Sequence, residues 1–140
     1  MILEAGTKIV ANDLRYEPGD EPSIWRGSET LASGGPNEIA RIARFAMEIM
    51  KYKNPDIALV GLGLGLLPRM IALPMDVWET EPEIYRWFVD QHPWLPPMDY
   101  MGHWDGEFDR KYDVIVMDHG YPFDEENVRA ALKPGGIILK

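Results

Sequence analysis

The strongest constraint on the fold of this chain is an apolar run at positions 57–60 that is followed by Gly61, Gly63 and Gly65. A short and wholly apolar run is typical of a parallel strand that is buried on both faces of a sheet. Glycine has no Cβ, so the chain turns tightly after this strand and a ligand approaches the backbone beside the next helix. The segment therefore predicts a strand, a turn and a helix of an α/β domain.

An acidic residue, Glu79, ends the next predicted strand at residues 75–79. In open α/β sheets a carboxylate at this place accepts hydrogen bonds from the two hydroxyls of a ribose. Together with Gly61, Gly63 and Gly65, it predicts a nucleoside site. A close-packed turn without any ligand remains the alternative, because a G-x-G pattern alone is a weak signal.

The glycine spacing separates two kinds of nucleoside site. A dinucleotide fingerprint requires a third glycine five positions after the first. Counted from Gly61 that position is Leu66, and counted from Gly63 it is Pro68. The spacing therefore argues against a nicotinamide dinucleotide.

Helical and extended segments alternate through most of the chain. Helical periodicity predicts helices at 37–52, 66–73, 82–91 and 124–132, with Asn37 as an N-cap and one apolar face from Ile39 to Met50. Strands are predicted from position 57 and at 75–79, 98–103, 112–118 and 136–140. Such alternation favours an α/β fold with a Rossmann-like, doubly wound parallel sheet.

The first 35 residues have a different pattern. Two short strands are predicted at 2–5 and 8–14, and residues 15–35 are rich in glycine and proline and read as turns. We therefore expect a short N-terminal β extension at 1–35 and a Rossmann-like domain at 36–140.

Composition excludes several classes of site and partner. The chain has 140 residues, no cysteine and three scattered histidines, so we expect one core, no disulfide and no metal. The formal charge of −9 argues against nucleic acid as a partner. It is compatible with a cationic small molecule, although an acidic surface that keeps the protein in solution is the commoner reason for such a charge.

Membrane and export signals are not visible in the sequence. No apolar stretch reaches the length of about 18 residues that a membrane span needs. The N-terminus lacks the basic flank and apolar centre of a signal peptide. We expect a cytoplasmic protein with no membrane contact.

Several segments together resemble a known family. They are the acidic stretch at 76–83, Asp105 with Gly106, the strand that ends at Asp118, and the Leu-Lys-Pro-Gly-Gly sequence at 132–136. They are similar to the nucleoside-binding half of spermidine synthases and, more broadly, to class I S-adenosylmethionine-dependent methyltransferases, over residues 37–140. The resemblance implies a truncated class I methyltransferase fold.

The resemblance also implies a ligand and roles for single residues. The ligand is S-adenosylmethionine or a derivative such as its decarboxylated form or methylthioadenosine, and no metal takes part. Glu79 would bind the ribose, Asp105 with Gly106 would contact the adenine amino group, and Asp118 would face the reacting centre. The implied activity is a transferase of the methyltransferase or aminopropyltransferase type that acts on a small molecule.

The chain departs from the family after Asp118. Spermidine synthases have a second aspartate three positions later, where this chain has Tyr121, and a complete methyltransferase sheet continues beyond the fifth strand. A nucleoside-binding module without chemistry and a regulatory or structural subunit therefore remain alternatives to an enzyme.

Asp118 and His119 are the only acid and base pair that the sequence suggests for catalysis. Asp118 ends a central strand, where open α/β sheets bind ligands. His119, expected on an exposed loop, has a pKa suited to proton transfer. A loop cap for Asp118 and a solvated side chain for His119 are the alternatives.

The last predicted strand suggests self-association. Residues 137–139 are apolar and would form an edge with unpaired backbone groups. Either the N-terminal strands at 2–14 or the same strand of a second copy would cover this edge, and we expect a homodimer.

Overall fold

This computed structural model describes residues 8–11 and 13–140 of the protein. Four strands come first: β1 (Lys8–Ala11), β2 (Leu14–Glu17), β3 (Ser23–Arg26) and β4 (Glu29–Ser33). The remaining elements are α1 (Pro36–Ile49), β5 (Ile57–Val60), α2 (Leu66–Ile71), β6 (Met75–Trp78), α3 (Pro82–Gln91), β7 (Met98–Gly102), β8 (Tyr112–Met117), α4 (Glu125–Arg129) and β9 (Leu132–Leu139).

Strands β5 to β9 form one parallel sheet in the order β7-β6-β5-β8-β9. In the centre, Leu59 of β5 lies between Val77 of β6 and Val116 of β8. From β5 the chain first builds one side of the sheet and then crosses to β8 on the other side. The carboxyl ends of β5 and β8 therefore form the switch point at which open α/β sheets bind ligands.

Both faces of this sheet are covered, so its residues alternate between two apolar clusters. Leu59 and Val116 belong to the cluster with α1, α2 and α3. Ala58 and Ile115, one position earlier on the same strands, belong to the cluster with Val128 of α4. The predicted α/β fold with a Rossmann-like, doubly wound parallel sheet is confirmed.

Strands β1 to β4 form a separate antiparallel sheet in chain order. The prediction of turns throughout 15–35 was wrong, since most of β2 and all of β3 and β4 lie there. The predicted strand at 8–14 is two strands, because the chain turns between Ala11 and Leu14. Glycine and proline mark the turns between strands of only four or five residues. The strand predicted at 2–5 lies outside the described residues.

The antiparallel sheet shares a core with the helices of the larger one. Leu14 and Ile24 are fully buried in the same cluster as α1 and α3. Arg26 donates two hydrogen bonds, of 2.7 and 2.8 Å, to the carboxylate of Glu81 just before α3. The rings of Tyr16 and Trp87 lie 5.1 Å apart. These contacts hold β2 and β3 against α3.

Helix α1 begins one residue earlier than predicted. Its N-cap is Gly35 and its first residue is a proline, so Asn37 lies inside the helix and caps nothing. The apolar face is also rotated. Phe45 is buried with Ile42 and Ile49, whereas the predicted face residues Ile39 and Met50 are 42% and 63% exposed.

The last two elements also differ from the prediction. Helix α4 ends at Arg129 and strand β9 begins at Leu132, four residues before the predicted start at 136. The strand is longer because its pairing with β8 already begins at Leu132, which lies opposite Tyr112. After an irregularity, the pairing resumes at Ile137.

Strand β9 pairs with β8, and none of the described N-terminal strands pairs with it. The expectation that residues 8–14 cover this edge within the chain was therefore wrong. They lie instead beside α3. A homodimer stays a prediction.

We expect Gly65→Ala to destabilise the protein far more than Gly27→Ala. Both residues have positive φ, +70° and +58°, and a side chain there costs about 1 to 2 kcal/mol. Open space surrounds Gly27, whereas a Cβ on Gly65 would lie 2.0 Å from the Phe88 ring. Overpacking adds about 1 to 3 kcal/mol in such cases. Urea denaturation measures both losses, and equal losses would contradict this account of Gly65.

Candidate functional site

A cavity of about 560 Å³ lies at the carboxyl ends of β5, β6 and β8. This volume is within the range of about 300 to 1,000 Å³ that small-molecule sites occupy. The cavity is lined by 30–33 in β4, Glu38 and Arg41 of α1, the turns after β5 and β6, His103 and Trp104 after β7, and the loop after β8. The antiparallel sheet therefore supplies one wall of a cavity that the larger sheet creates.

The glycine turn is shaped by contacts with the protein itself. A Cβ on Gly61 would lie 2.5 Å from the carbonyl oxygen of Asp118, and one on Gly65 would overlap the ring of Phe88. A Cβ on Gly63 would lie 3.3 Å from Cβ of Ala32. Gly61 and Gly63 line the cavity, and Gly65 does not. Neighbouring protein atoms therefore fill the space that these glycines leave. From the sequence alone, that space was predicted to hold a ligand.

Glu79 lines the cavity after β6, but it lies directly beside the glycine turn and not across the cavity from it. Its Oε1 accepts hydrogen bonds of 3.2 Å from the backbone N–H groups of Leu62 and Gly63. Its Oε2 accepts one of 2.9 Å from the N–H of Glu81. A carboxylate has about four acceptor positions, so Oε2 retains one for a ligand.

Asp118 also lines the cavity, and its carboxylate forms an ion pair with Arg41 of α1. Nη1 of Arg41 donates to Oδ1 of Asp118 at 2.7 Å and to Oε1 of Glu38 at 2.8 Å. The guanidinium lies 4.8 Å from the centre of the Phe45 ring. Burial raises the pKa of Asp118 above its ordinary value, and the hydrogen bond from Arg41 opposes this shift.

His119 is half-buried, so the expectation of an exposed loop residue was wrong. Its ring lies 5.6 Å from that of Trp104, 5.6 Å from that of Tyr121 and 6.1 Å from that of Phe123. Burial lowers the pKa of His119, which favours the neutral imidazole. Its Nδ1 is buried and has no hydrogen-bond partner among the described residues.

Asp118 and His119 are neighbours in the cavity wall, but their side chains are not hydrogen-bonded to one another in the described structure. The carboxylate of Asp118 is held by Arg41 and the imidazole of His119 by aromatic rings. They are therefore available as two separate groups and do not form a coupled acid and base pair.

The structure places Asp105 and Gly106 outside the cavity wall. The carboxylate of Asp105 accepts a hydrogen bond of 2.9 Å from the N–H of Glu107, which closes its own loop. The carbonyl of Gly106 accepts one of 2.6 Å from the side chain of Asn127. The preceding residues, His103 and Trp104, are the ones that reach the cavity.

Sequence reasoning missed Arg41, Glu38 and the wall from β4. Glu38 and Arg41 are three positions apart on a helix, which is typical of a surface ion pair. Their place in the cavity depends on α1 lying beside the end of β8, and the sequence contains no signal for that contact.

The described residues contain no group of three or more His, Cys, Asp or Glu side chains arranged to hold a metal ion. None of the helices in this part of the chain is long and apolar enough to span a membrane.

No protein-family model and no curated protein sequence matches the chain. Solved structures do match its fold. The CcbJ methyltransferase from Streptomyces caelestis is 14% identical with a TM-score of 0.56, covering 74% of this chain and 49% of its own. The glycopeptide N-methyltransferase MtfA, complexed with sinefungin, is 16% identical with a TM-score of 0.53, covering 71% and 51%.

A third match is DhpI in complex with S-adenosylhomocysteine, which is 22% identical with a TM-score of 0.55 and covers 73% of this chain and 56% of its own. The chain spans about half the length of these proteins. At these identities the matches show the fold. Over most of its length, the chain has the Rossmann-like fold of class I S-adenosylmethionine-dependent methyltransferases.

Proposed function

We propose that the chain binds S-adenosylmethionine in the cavity and takes part in methyl transfer to a small molecule. The observation that carries this proposal is the place of Glu79. Its carboxylate borders a cavity at the switch point of a methyltransferase-type sheet, beside the glycine turn and with one acceptor position open. A ribose hydroxyl is the donor that this position suits.

The charges around the cavity fit a cationic ligand. Four carboxylates line it, those of Glu38, Glu79, Glu81 and Asp118, against one guanidinium, that of Arg41. Glu81 is neutralised by Arg26, which lowers the pKa of Glu81. The cavity therefore has a formal excess of negative charge, which attracts a sulfonium ion. The sulfonium supplies an electrophilic carbon, and the protein supplies alignment and exclusion of water.

His119 is the residue that we propose as the proton acceptor. Its lowered pKa keeps the imidazole neutral near pH 7, so it accepts a proton from a nucleophile without first losing one. The ring lies between Trp104 and Tyr121, and all three residues line the cavity. These aromatic side chains give an acceptor substrate an apolar surface.

Methyl transfer is favoured over aminopropyl transfer. In spermidine synthases, which the sequence resembles, a second aspartate would stand where this chain has Tyr121. Tyr121 is 72% exposed and makes a ring contact with His119, so it provides no carboxylate for an amine.

A second candidate is a nucleoside-binding module without chemistry. The observation that favours it is the ion pair between Asp118 and Arg41. Because this pair already engages one oxygen of the acid that ends β8, that carboxylate is less available to orient a reacting group. Binding and turnover therefore have to be measured separately.

Replacing Glu79 should weaken binding of S-adenosylhomocysteine. Glu79→Gln removes the charge that strengthens hydrogen bonds from ribose, and we expect a loss of about tenfold or more. Isothermal titration calorimetry measures the affinity. Glu126→Gln, an exposed acid on α4 outside the cavity, is the matched control and should bind like the wild type.

The loss in Glu79→Gln could also arise from a loosened glycine turn. The 2′-deoxy analogue of S-adenosylhomocysteine separates the two effects, because it lacks one ribose donor. If Glu79 binds ribose, the substitution weakens the analogue less than the parent compound. Equal losses for both ligands would show that Glu79 acts on the turn alone.

NAD should stabilise the protein less than S-adenosylhomocysteine does. Leu66 and Pro68 occupy the places at which a dinucleotide fingerprint has glycine, and Pro68 is buried in α2. A ligand raises the melting temperature according to its concentration relative to its dissociation constant. A thermal scan with each ligand at the same concentration compares them, and a larger shift with NAD would refute the proposed ligand.

An enzyme should release S-adenosylhomocysteine when incubated with S-adenosylmethionine and a panel of small amines, phenols and carboxylic acids. We expect release above the protein-free blank with one class of acceptor, and a fall of about 100-fold or more in His119→Gln. Tight binding of S-adenosylmethionine without release in any class would favour the binding module. His92→Gln, a histidine at the end of α3 and outside the cavity, is the matched control.

A further inference from the structure

Arg26 of β3 reaches from the antiparallel sheet to an acid of the cavity wall, Glu81. Its Nη1 and Nη2 donate hydrogen bonds of 2.7 and 2.8 Å to the two carboxylate oxygens of Glu81. A guanidinium that engages both oxygens of one carboxylate restricts the orientation of both side chains. The side chain of Glu81 is only 23% exposed, so water screens this pair less than an ordinary surface ion pair.

Glu81 is coupled to Glu79 through its own backbone. The N–H of Glu81 donates to Oε2 of Glu79 at 2.9 Å, and Oε2 is the oxygen that retains an acceptor position for a ligand. Glu81 is also the N-cap of α3, yet its side chain makes no capping hydrogen bond. A free carboxylate at a helix N-terminus is attracted to the unpaired N–H groups there. Arg26 therefore draws this carboxylate away from α3 and holds Glu81 in one conformation.

Two acids, Glu79 and Glu81, line the cavity after β6, and they differ in their partners. Arg26 engages both oxygens of Glu81 and lowers its pKa. The carboxylate of Glu79 accepts backbone N–H groups and has no cation beside it among the described residues. The ion pair therefore leaves Glu79 as the acid of this turn that is available to a hydroxyl donor.

We propose that Arg26 is a positioning residue for the ribose acceptor. By holding Glu81, it keeps the N–H of Glu81 directed at Glu79 and prevents the second carboxylate from competing for the ligand. This inference rests on the proposed function. It adds a residue that lies outside the parallel sheet, and it gives the antiparallel sheet a role in ligand binding.

A purely structural ion pair is the competing explanation, since the same contact ties β3 to the start of α3. The antiparallel sheet has other supports, because Leu14 and Ile24 are buried in the shared core. The turn after β6 is also held from β7, where the hydroxyl of Tyr100 donates to the carbonyl of Glu79 at 2.7 Å. Variants of Arg26 should therefore fold, and ligand affinity can separate the two explanations.

The test is a double-mutant cycle on the affinity for S-adenosylhomocysteine, measured by isothermal titration calorimetry. Arg26→Gln should weaken binding about fivefold or more. In the Glu79→Gln background the same substitution should change the affinity less than about twofold, because the charge that Arg26 positions is already gone. Equal losses in the two backgrounds would show a structural ion pair and overturn the proposal.

The wild-type protein and the single variants distinguish this inference from the proposed function. If the wild type binds S-adenosylhomocysteine and Arg26→Gln binds it equally well, this inference alone is wrong. If the wild type does not bind it, the proposed function is refuted and this inference with it.

Three further variants separate positioning from stability. Arg15→Gln breaks an ion pair with Glu17 on β2, outside the cavity, and should leave the affinity unchanged. Ile24→Val removes buried packing from β3 and should lower the melting temperature without weakening binding. Arg26→Lys keeps the charge and should lose less affinity than Arg26→Gln. If Ile24→Val weakened binding as much as Arg26→Gln, lost stability would explain both and the proposal would be wrong.

Discussion

The carboxylate of Glu79 is the contact on which the candidate site depends. It accepts three backbone hydrogen bonds, from Leu62, Gly63 and Glu81, and so joins the turn after β5 to the turn after β6. Backbone N–H groups at such turns need partners, because an unpaired donor away from water costs about as much as a lost hydrogen bond. One side chain therefore fixes the shape of two turns and still presents an oxygen to the cavity.

The carboxyl ends of β5, β6 and β8 also lie close together at the cavity. Gly61 touches the backbone of Asp118 and its N–H donates to the carbonyl of Trp78, so β5, β6 and β8 converge where the cavity opens. From the other side, β4 packs on Gly63 and Arg26 holds Glu81. Since Glu81 also donates its N–H to Glu79, the antiparallel sheet is mechanically connected to the candidate ribose acceptor.

Charge distinguishes the two ends of the cavity. Glu79 lies at the β6 side, and the alternating charges of Glu38, Arg41 and Asp118 lie at the β8 side. His119, between aromatic rings, is the one titratable group of the wall that burial keeps neutral without an ionic partner in the described structure.

The sequence alone determined the class of fold and the position of Glu79 after β6. Period and length of the apolar runs give the order of helices and strands, because a strand buried on both faces has to be apolar throughout, as β5 is. The position of Glu79 was predictable because this residue comes directly after the strand β6. The sequence also located the glycine turn, but it assigned to a ligand the space that Asp118 and Phe88 fill.

Only the tertiary structure decided which distant side chains meet. Arg41 and Asp118 are 77 positions apart and pair because the folded chain brings α1 beside the loop after β8. The local sequence of neither segment predicts this contact, since helix periodicity specifies a buried face and not the element that covers it. The β extension is a further example. Its short strands form because Leu14 and Ile24 are buried in the shared core. That burial depends on α3 lying beside them.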